Sequence, residues 1–183
     1  MAAIGLLLGI VCLAGVGRSV LPGGNLLSIA RREVGVKERT GQNDGPRVEA
    51  YLGAVGLKKG NPWCAAFVCW TFKQAGYALP RTAWSPDLFP KEKRVSQPVP
   101  GSIFSIYFPV LKRIGHCGFV EYVYGHWIGT IEGNTSGQGS REGDGVYRKF
   151  RHIRTLKSFA DWREKNKGFQ RPVLKKAALL FFP

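Results

Sequence analysis

The segment from Pro62 to Gly76 is the part of the sequence that most constrains the fold. It is an almost unbroken apolar run of helical length, and Gly76 stands where a glycine often follows a helix end. A helix that is apolar nearly all round has to be buried on every side. We therefore predict a central buried helix, with Asn61 as its N-cap and Pro62 at its first position.

A cysteine stands in the first turn of this predicted helix. Free backbone N–H groups and the positive end of the helix dipole favour the thiolate of Cys64 there, and its own N–H is free to donate to an oxyanion. Cys69 lies mid-helix, about 140° around the axis. A free cysteine is often a small buried apolar residue, so the helix alone leaves both a structural and a nucleophilic role open for Cys64.

A histidine opens one of the strands predicted further along the chain. His116 begins an aromatic and branched stretch, and a later strand ends at Glu132 and is followed by Gly133 and Asn134. A histidine can act as base for a thiol nucleophile, and a group that accepts its second ring N–H fixes its tautomer. Glu132 and Asn134 are both candidates for that acceptor. Structural roles explain these residues equally well, because histidines on strands and asparagines in turns are common.

The predicted helices precede the predicted strands. The helices are Leu26 to Val34, Pro46 to Val55 and Trp63 to Ala75, and the strands are Ile103 to Phe108, His116 to Tyr124, Trp127 to Glu132 and Gly145 to Phe150. This order predicts an α+β domain with an antiparallel sheet. The stretch from Ala83 to Pro100 holds four prolines and is expected to form a long loop beside a substrate groove.

Three separated blocks of sequence support a catalytic reading when they are taken together. They are Ala30–Val36 with Gly41–Asn43, then Asn61–Val68, then Pro100–Ile103 with Gly115–Val120 and Ile131–Thr135. In this order they resemble the CHAP family of the NlpC/P60 superfamily, which are papain-like cell-wall hydrolases. The resemblance implies a papain-like NlpC/P60-type fold in which Cys64 is the nucleophile, His116 the base, and Glu132 or Asn134 the orienting residue. Cys117 and Ser102 depart from the family pattern without touching these groups.

The sequence pattern indicates that the N-terminal segment is separate from the domain. Ala2 to Gly17 is apolar or small throughout, and its 16 residues suit a signal-peptide core better than a bilayer span. No basic residue precedes it, so an uncleaved membrane anchor is the alternative. We expect residues 1–24 to be this signal or anchor with a linker, 25–155 the catalytic domain and 156–183 a basic extension. The protein is expected to be exported to the cell envelope, whether periplasmic, secreted or membrane-anchored.

The four cysteines do not predict a disulfide framework. Cys12 lies in the N-terminal segment, and Cys64 is the candidate nucleophile. Cys69 and Cys117 are left as a pair that the sequence cannot show to meet. The spacing of the cysteines with His116 is not that of a zinc module, so we expect no metal and no cofactor.

The net charge is +15, and the stretch from Arg141 to Lys176 has twelve Lys and Arg against four acids. A solvated basic face explains this pattern, and attraction to acidic wall polymers or an anionic membrane surface is the functional alternative. No nucleic-acid motif is present, so nucleic acid is not an expected partner. The sequence thus predicts a monomeric, exported cysteine hydrolase that cuts amide or peptide bonds of peptidoglycan stem peptides or cross-bridges. A non-catalytic basic envelope-binding protein on the same fold is the alternative.

Overall fold

The computed structural model describes residues 26–137 and 143–163. The helices are α1 (Leu26–Arg32), α2 (Pro46–Gly53) and α3 (Cys64–Gln74). The strands are β1 (Arg94–Val95), β2 (Ile103–Phe108), β3 (Arg113–Tyr124), β4 (Trp127–Thr135), β5 (Gly145–His152) and β6 (Ser158–Ala160). The signal or anchor predicted for residues 1–24 lies outside these described ranges. Within them, no helix has the length and hydropathy needed to cross a membrane.

The strands form one sheet in the order β1-β6-β2-β3-β4-β5, and every neighbouring pair is antiparallel. β3 and β4 are joined by a tight turn between Tyr124 and Trp127, which pair with each other. The prediction of an α+β fold with an antiparallel sheet is therefore confirmed. Because β2 to β5 are long and mutually paired, they provide a rigid support for side chains at their ends.

Helix α3 packs against this sheet and forms the centre of the apolar core. The rings of Phe67 and Phe72 contact Phe119 of β3, with centroid separations of 6.0 and 5.7 Å. Gly133 of β4 lies so close to the helix that a Cβ there would be 2.7 Å from the Trp63 ring and 2.8 Å from Phe67. A glycine at this position thus lets the start of α3 approach the end of β4.

The start of α3 differs from the sequence prediction. The N-cap is Trp63 and the first helical residue is Cys64, so the predictions of Asn61 as N-cap and of Pro62 at the first helical position were both wrong. Asn61 instead donates from its amide to the Lys58 carbonyl. The Trp63 side chain is fully buried and its Nε1 donates to Glu38 Oε1 at 2.8 Å. The helix has no side-chain cap at this end. Its start is fixed instead by the packing of the Trp63 indole in the core.

Two short strands, β1 and β6, were not predicted from the sequence. β6 pairs with both β1 and β2, and Trp162 just beyond it donates from Nε1 to the Leu88 carbonyl at 2.9 Å. The sheet thus reaches past residue 155, where the catalytic domain was predicted to end. Strands of two and three residues carry too little alternation to be recognised in sequence.

Candidate active site

Cys64 is the first residue of α3 and lies between two cavities. The first cavity, of about 210 Å³, is lined by Asn43, Pro62, Cys64, Leu111, Arg113, Gly115, His116 and Asn134. The second, of about 240 Å³, is lined by Leu57, Asn61, Pro62, Cys64, Ala83, Trp84, Ser85, Arg113 and Gly115. Cys64 is nearly buried, at 5% exposure, yet it contributes to the walls of both cavities. A substrate that fills both cavities would therefore pass directly over it.

The backbone that carries Cys64 is held from two sides. The Trp63 indole stacks on Tyr51 at a centroid distance of 5.5 Å. With its amide oriented to satisfy both neighbours, Asn134 accepts the Trp63 N–H at 3.1 Å and donates to the Gly143 carbonyl at 3.0 Å. Asn134 has a left-handed φ of 55°, a conformation that asparagine tolerates better than most residues. These contacts fix the first turn of α3 and hence the position of the thiol.

His116 of β3 is hydrogen-bonded to Glu132 of β4, with 2.8 Å between Nε2 and Oε2. An ionised carboxylate can only accept, so Nε2 carries the hydrogen and Nδ1 is left for the thiol of Cys64. A Cβ at Gly118 would lie 2.8 Å from the Ile131 carbonyl and 3.0 Å from Glu132 Cγ. Glycine at 118 therefore makes room for the glutamate beside the histidine strand.

The Glu132 carboxylate is fully buried and accepts three further hydrogen bonds. Arg151 donates from Nε to Oε1 at 2.6 Å and from Nη2 to Oε2 at 2.7 Å, and the Thr130 hydroxyl donates to Oε1 at 2.6 Å. Burial alone would raise the pKa of Glu132, but Arg151 and His116 outweigh it and hold that pKa at about 2. Glu132 is thus an anion at any pH near neutrality.

The electrostatics favour a thiolate on Cys64. A hydrogen bond from the Cys117 thiol lowers the pKa of Cys64 most, and His116 and Ser85 add to the effect against burial. Ser85 Oγ lies 3.4 Å from the sulfur. Burial would lower the pKa of His116, but its bonds to Cys64 and Glu132 raise it to about 9. Between these two pKa values the pair is a thiolate and an imidazolium.

The other two described cysteines differ from Cys64. Burial raises the pKa of Cys69 to about 11, and its sulfur exchanges hydrogen bonds with the backbone of Thr82. Burial and the neighbouring Cys64 raise the pKa of Cys117 well above its ordinary value. Cys69 and Cys117 are free thiols, so the candidate pair is not a disulfide in this structure. No group of three or more potential metal-ligating side chains occurs in the described ranges.

The structure brings three of the four sequence-predicted site residues into one chain of contacts, from Cys64 through His116 to Glu132. Asn134 lines the cavity beside them, but its amide bonds to Trp63 and Gly143. The group hydrogen-bonded to the histidine is therefore the glutamate. The catalytic roles of all four residues stay predictions.

The sequence model of the CHAP domain matches residues 56–134. This stretch of the chain is similar to CHAP domains. The match confirms the resemblance drawn from the sequence blocks and contains Cys64, His116, Glu132 and Asn134. CHAP domains are generally hydrolytic enzymes, and peptidoglycan is the substrate that the domain implies. No curated protein sequence matches the chain.

Three residues of the site were missed by sequence reasoning. Cys117 is hydrogen-bonded to the Cys64 thiol, so the expectation that it does not touch the catalytic groups was wrong. Ser85 lies in the proline-rich stretch that was expected to border a groove, but nothing in the sequence marked it as a partner of the thiol. Arg151 was interpreted as part of a basic surface, yet it is bound to Glu132. Arg148 is likewise paired, with 2.9 Å between its Nε and Glu121 Oε2. A cluster of basic residues in the sequence does not indicate which of them pair with carboxylates from distant parts of the chain.

Proposed function

We propose that this protein is an exported cysteine hydrolase that cleaves amide or peptide bonds in the peptide part of peptidoglycan. One observation carries the proposal: a thiol with a lowered pKa stands at a helix start between two cavities, beside a histidine that is itself bound to a buried glutamate. This is the arrangement that nucleophilic catalysis by cysteine requires.

In the first half-reaction, the Cys64 thiolate attacks the carbonyl carbon of the scissile amide. The backbone N–H of Cys64, at the first position of α3, has no acceptor within the helix and is a donor for the oxyanion. The His116 imidazolium then gives its Nδ1 proton to the leaving nitrogen. The C–N bond breaks, an amine departs, and the acyl fragment remains on Cys64 as a thioester.

In the second half-reaction, water attacks the thioester and His116 takes its proton. The carboxylic acid product leaves, and the thiolate and imidazolium are restored. Glu132 keeps the ring oriented through both steps and stabilises its charged form. Because Glu132 stays ionised, it does not compete with the histidine for the transferred proton.

Export and envelope localisation belong to the proposal. They are supported by the apolar run from Ala2 to Gly17 and by a substrate class that lies outside the cytoplasmic membrane. The net charge of +15 favours contact with anionic wall polymers or lipid headgroups. We expect the enzyme to act as a monomer.

Digestion of purified peptidoglycan, followed by mass spectrometry of the released fragments, tests the function. The wild-type protein should release peptides with new amine and carboxyl ends, which also identifies the scissile bond. Cys64→Ala should release none, and Cys69→Ala should match the wild type. Wall binding by the wild type without any cleavage would favour a non-catalytic binding module instead.

A further inference from the structure

Arg113 is a charged side chain shared by the two cavities that flank Cys64. It is the first residue of β3, three positions before His116, so the two Cα atoms are about 10 Å apart along the strand. A substrate backbone advances about 3.5 Å per residue. The guanidinium is therefore within reach of a group one to three residues from the scissile bond.

The guanidinium is held in a defined orientation. Its Cζ lies 4.1 Å from the centroid of the Trp84 ring, and Nη1 donates to the Ile114 carbonyl at 2.9 Å. Stacking occupies the face of a guanidinium and leaves its in-plane N–H groups available. Among the described residues, no carboxylate forms an ion pair with Arg113. It is thus a cation with unused donors, fixed at the wall of the groove.

Apart from Cys64 and His116, the residues that line the two cavities with Arg113 are uncharged. Leu57, Pro62, Ala83 and Trp84 supply apolar surface to the second cavity, and no acidic side chain lines either cavity among the described residues. A planar fork of N–H donors in such surroundings matches a carboxylate better than it matches a neutral amide. The charge therefore selects among peptide substrates.

We infer that Arg113, stacked on Trp84, forms a subsite for a free carboxylate of the substrate peptide next to the scissile bond. This inference rests on the proposed hydrolase function. A hydrogen-bonded ion pair in a partly enclosed groove stabilises the bound substrate and the transition state equally. We expect it to raise kcat/KM by about 10- to 100-fold. The enzyme thus prefers stem peptides with free carboxyl groups to the same peptides in which that group is a carboxamide.

The test uses matched stem-peptide substrates in which the free carboxyl groups are converted to carboxamides one at a time. For the wild type, one such conversion should lower kcat/KM by about 10- to 100-fold. Arg113→Met should lower kcat/KM for the carboxylate form to that of the carboxamide form and leave the carboxamide form nearly unchanged. Arg113→Lys should retain part of the preference, since it keeps the charge and loses the planar fork.

Lys112→Asn is the matched control. It removes a neighbouring exposed positive charge, and asparagine suits the left-handed φ of 51° at that position. The control should keep the full preference. Equal cleavage of all forms by the wild type, or equal slowing of both forms in Arg113→Met, would overturn the subsite while leaving hydrolysis intact. If the wild type cleaves none of the forms, the proposed function fails and the subsite fails with it.

Discussion

Arg151 donates to both carboxylate oxygens of Glu132, at 2.6 and 2.7 Å, while the same carboxylate accepts from His116. The carboxylate is fully buried, and the arginine side chain is 23% exposed. A buried anion needs such partners, because leaving it unpaired is costly. Arg151 is therefore a positioning residue that acts on the histidine through the glutamate.

Arg151→Met should lower kcat by about 10-fold and leave KM nearly unchanged, since the glutamate loses its fixed orientation but no substrate contact is removed. The free energy of unfolding should fall by about 2–3 kcal/mol, less than for a fully buried pair because the arginine is partly exposed. Loss of the nearby cation should also raise the pKa of His116 and move the alkaline limb of the pH–rate profile upward.

Arg148→Met is the matched control, because Arg148 makes the same type of pair with Glu121, which keeps Arg31 as a partner. It should cost about 1 kcal/mol of stability or less and leave kcat and the alkaline limb unchanged. If the two variants have the same kinetics, Arg151 serves stability alone.

Glu132→Gln should lower kcat by about 100-fold with little change in KM. The substitution removes the anion that stabilises the protonated His116 ring, which acts in proton transfer. Removal of the anion should lower the pKa of His116 and move the alkaline limb downward, opposite to Arg151→Met. Asn134→Ala should instead lower stability by about 1 kcal/mol, because it removes the acceptor of the Trp63 N–H. A larger loss of kcat in Asn134→Ala than in Glu132→Gln would assign the orienting role to the asparagine.

The pH dependence of kcat/KM should have an alkaline limb near pH 9, where His116 loses the proton that the leaving amine needs. The sign follows from the raised pKa of His116: below about 9 the imidazolium is present, and above it the thiolate remains without its acid. The acid limb of the profile is set by deprotonation of the Cys64 thiol, and it should lie well below the ordinary pKa of a cysteine. An alkaline limb near 6.5 would show that the ring is not held by Cys64 and Glu132.

Iodoacetamide should modify Cys64 much faster than Cys69 or Cys117, because Cys64 alone of these three combines a lowered pKa with a place in both cavities. The rates are measured by peptide mapping after short exposure of the folded protein. His116→Ala should slow the modification of Cys64 near neutral pH, since it removes a partner of the thiolate. Equal labelling of the three cysteines in the folded protein would contradict the prediction that Cys64 is the most reactive of them.

Binding to whole cell walls should weaken as salt rises, because exposed charges are screened over about 10 Å at 0.1 M ionic strength. Arg154→Glu with Lys157→Glu should reproduce the high-salt behaviour, as both side chains are exposed. Arg148 and Arg151 are unsuitable for this test because they pair with buried glutamates. Cleavage of a small soluble stem peptide should depend on salt far less. Wall binding that is equal at low and high salt would leave the basic surface without a role in attachment.

The parts of the site that could be predicted are those encoded locally. The apolar run with a cysteine at its start predicts a buried helix with a thiol at its N-terminus. The predicted strand from Trp127 to Glu132 is also present, although β4 continues to Thr135 and Glu132 lies inside it. The family resemblance then joins these separate features into one site. The period of two along β4 does not by itself distinguish Glu132 from Asn134, which lie two residues apart.

The remaining parts depend on contacts between residues far apart in the sequence. Arg151 reaches Glu132 only because β5 pairs with β4, and Ser85 reaches the thiol because a proline-rich loop folds over α3. The helix start at Cys64 is set by the burial of Trp63, which no local capping rule includes. Charge pattern and propensity carry no information on such pairings.

Cleavage of purified peptidoglycan in water enriched in heavy oxygen tests whether the protein hydrolyses amide bonds through Cys64. Mass spectrometry of the fragments should find one heavy oxygen in each new carboxyl group and an equal amount of new amine, with the wild type and with Cys69→Ala. Cys64→Ala, folded as judged by its thermal unfolding, should yield neither product. Cleavage by Cys64→Ala at the wild-type rate would show that Cys64 is not the nucleophile, and intact peptidoglycan after treatment with the wild type would show that the protein is not a peptidoglycan hydrolase.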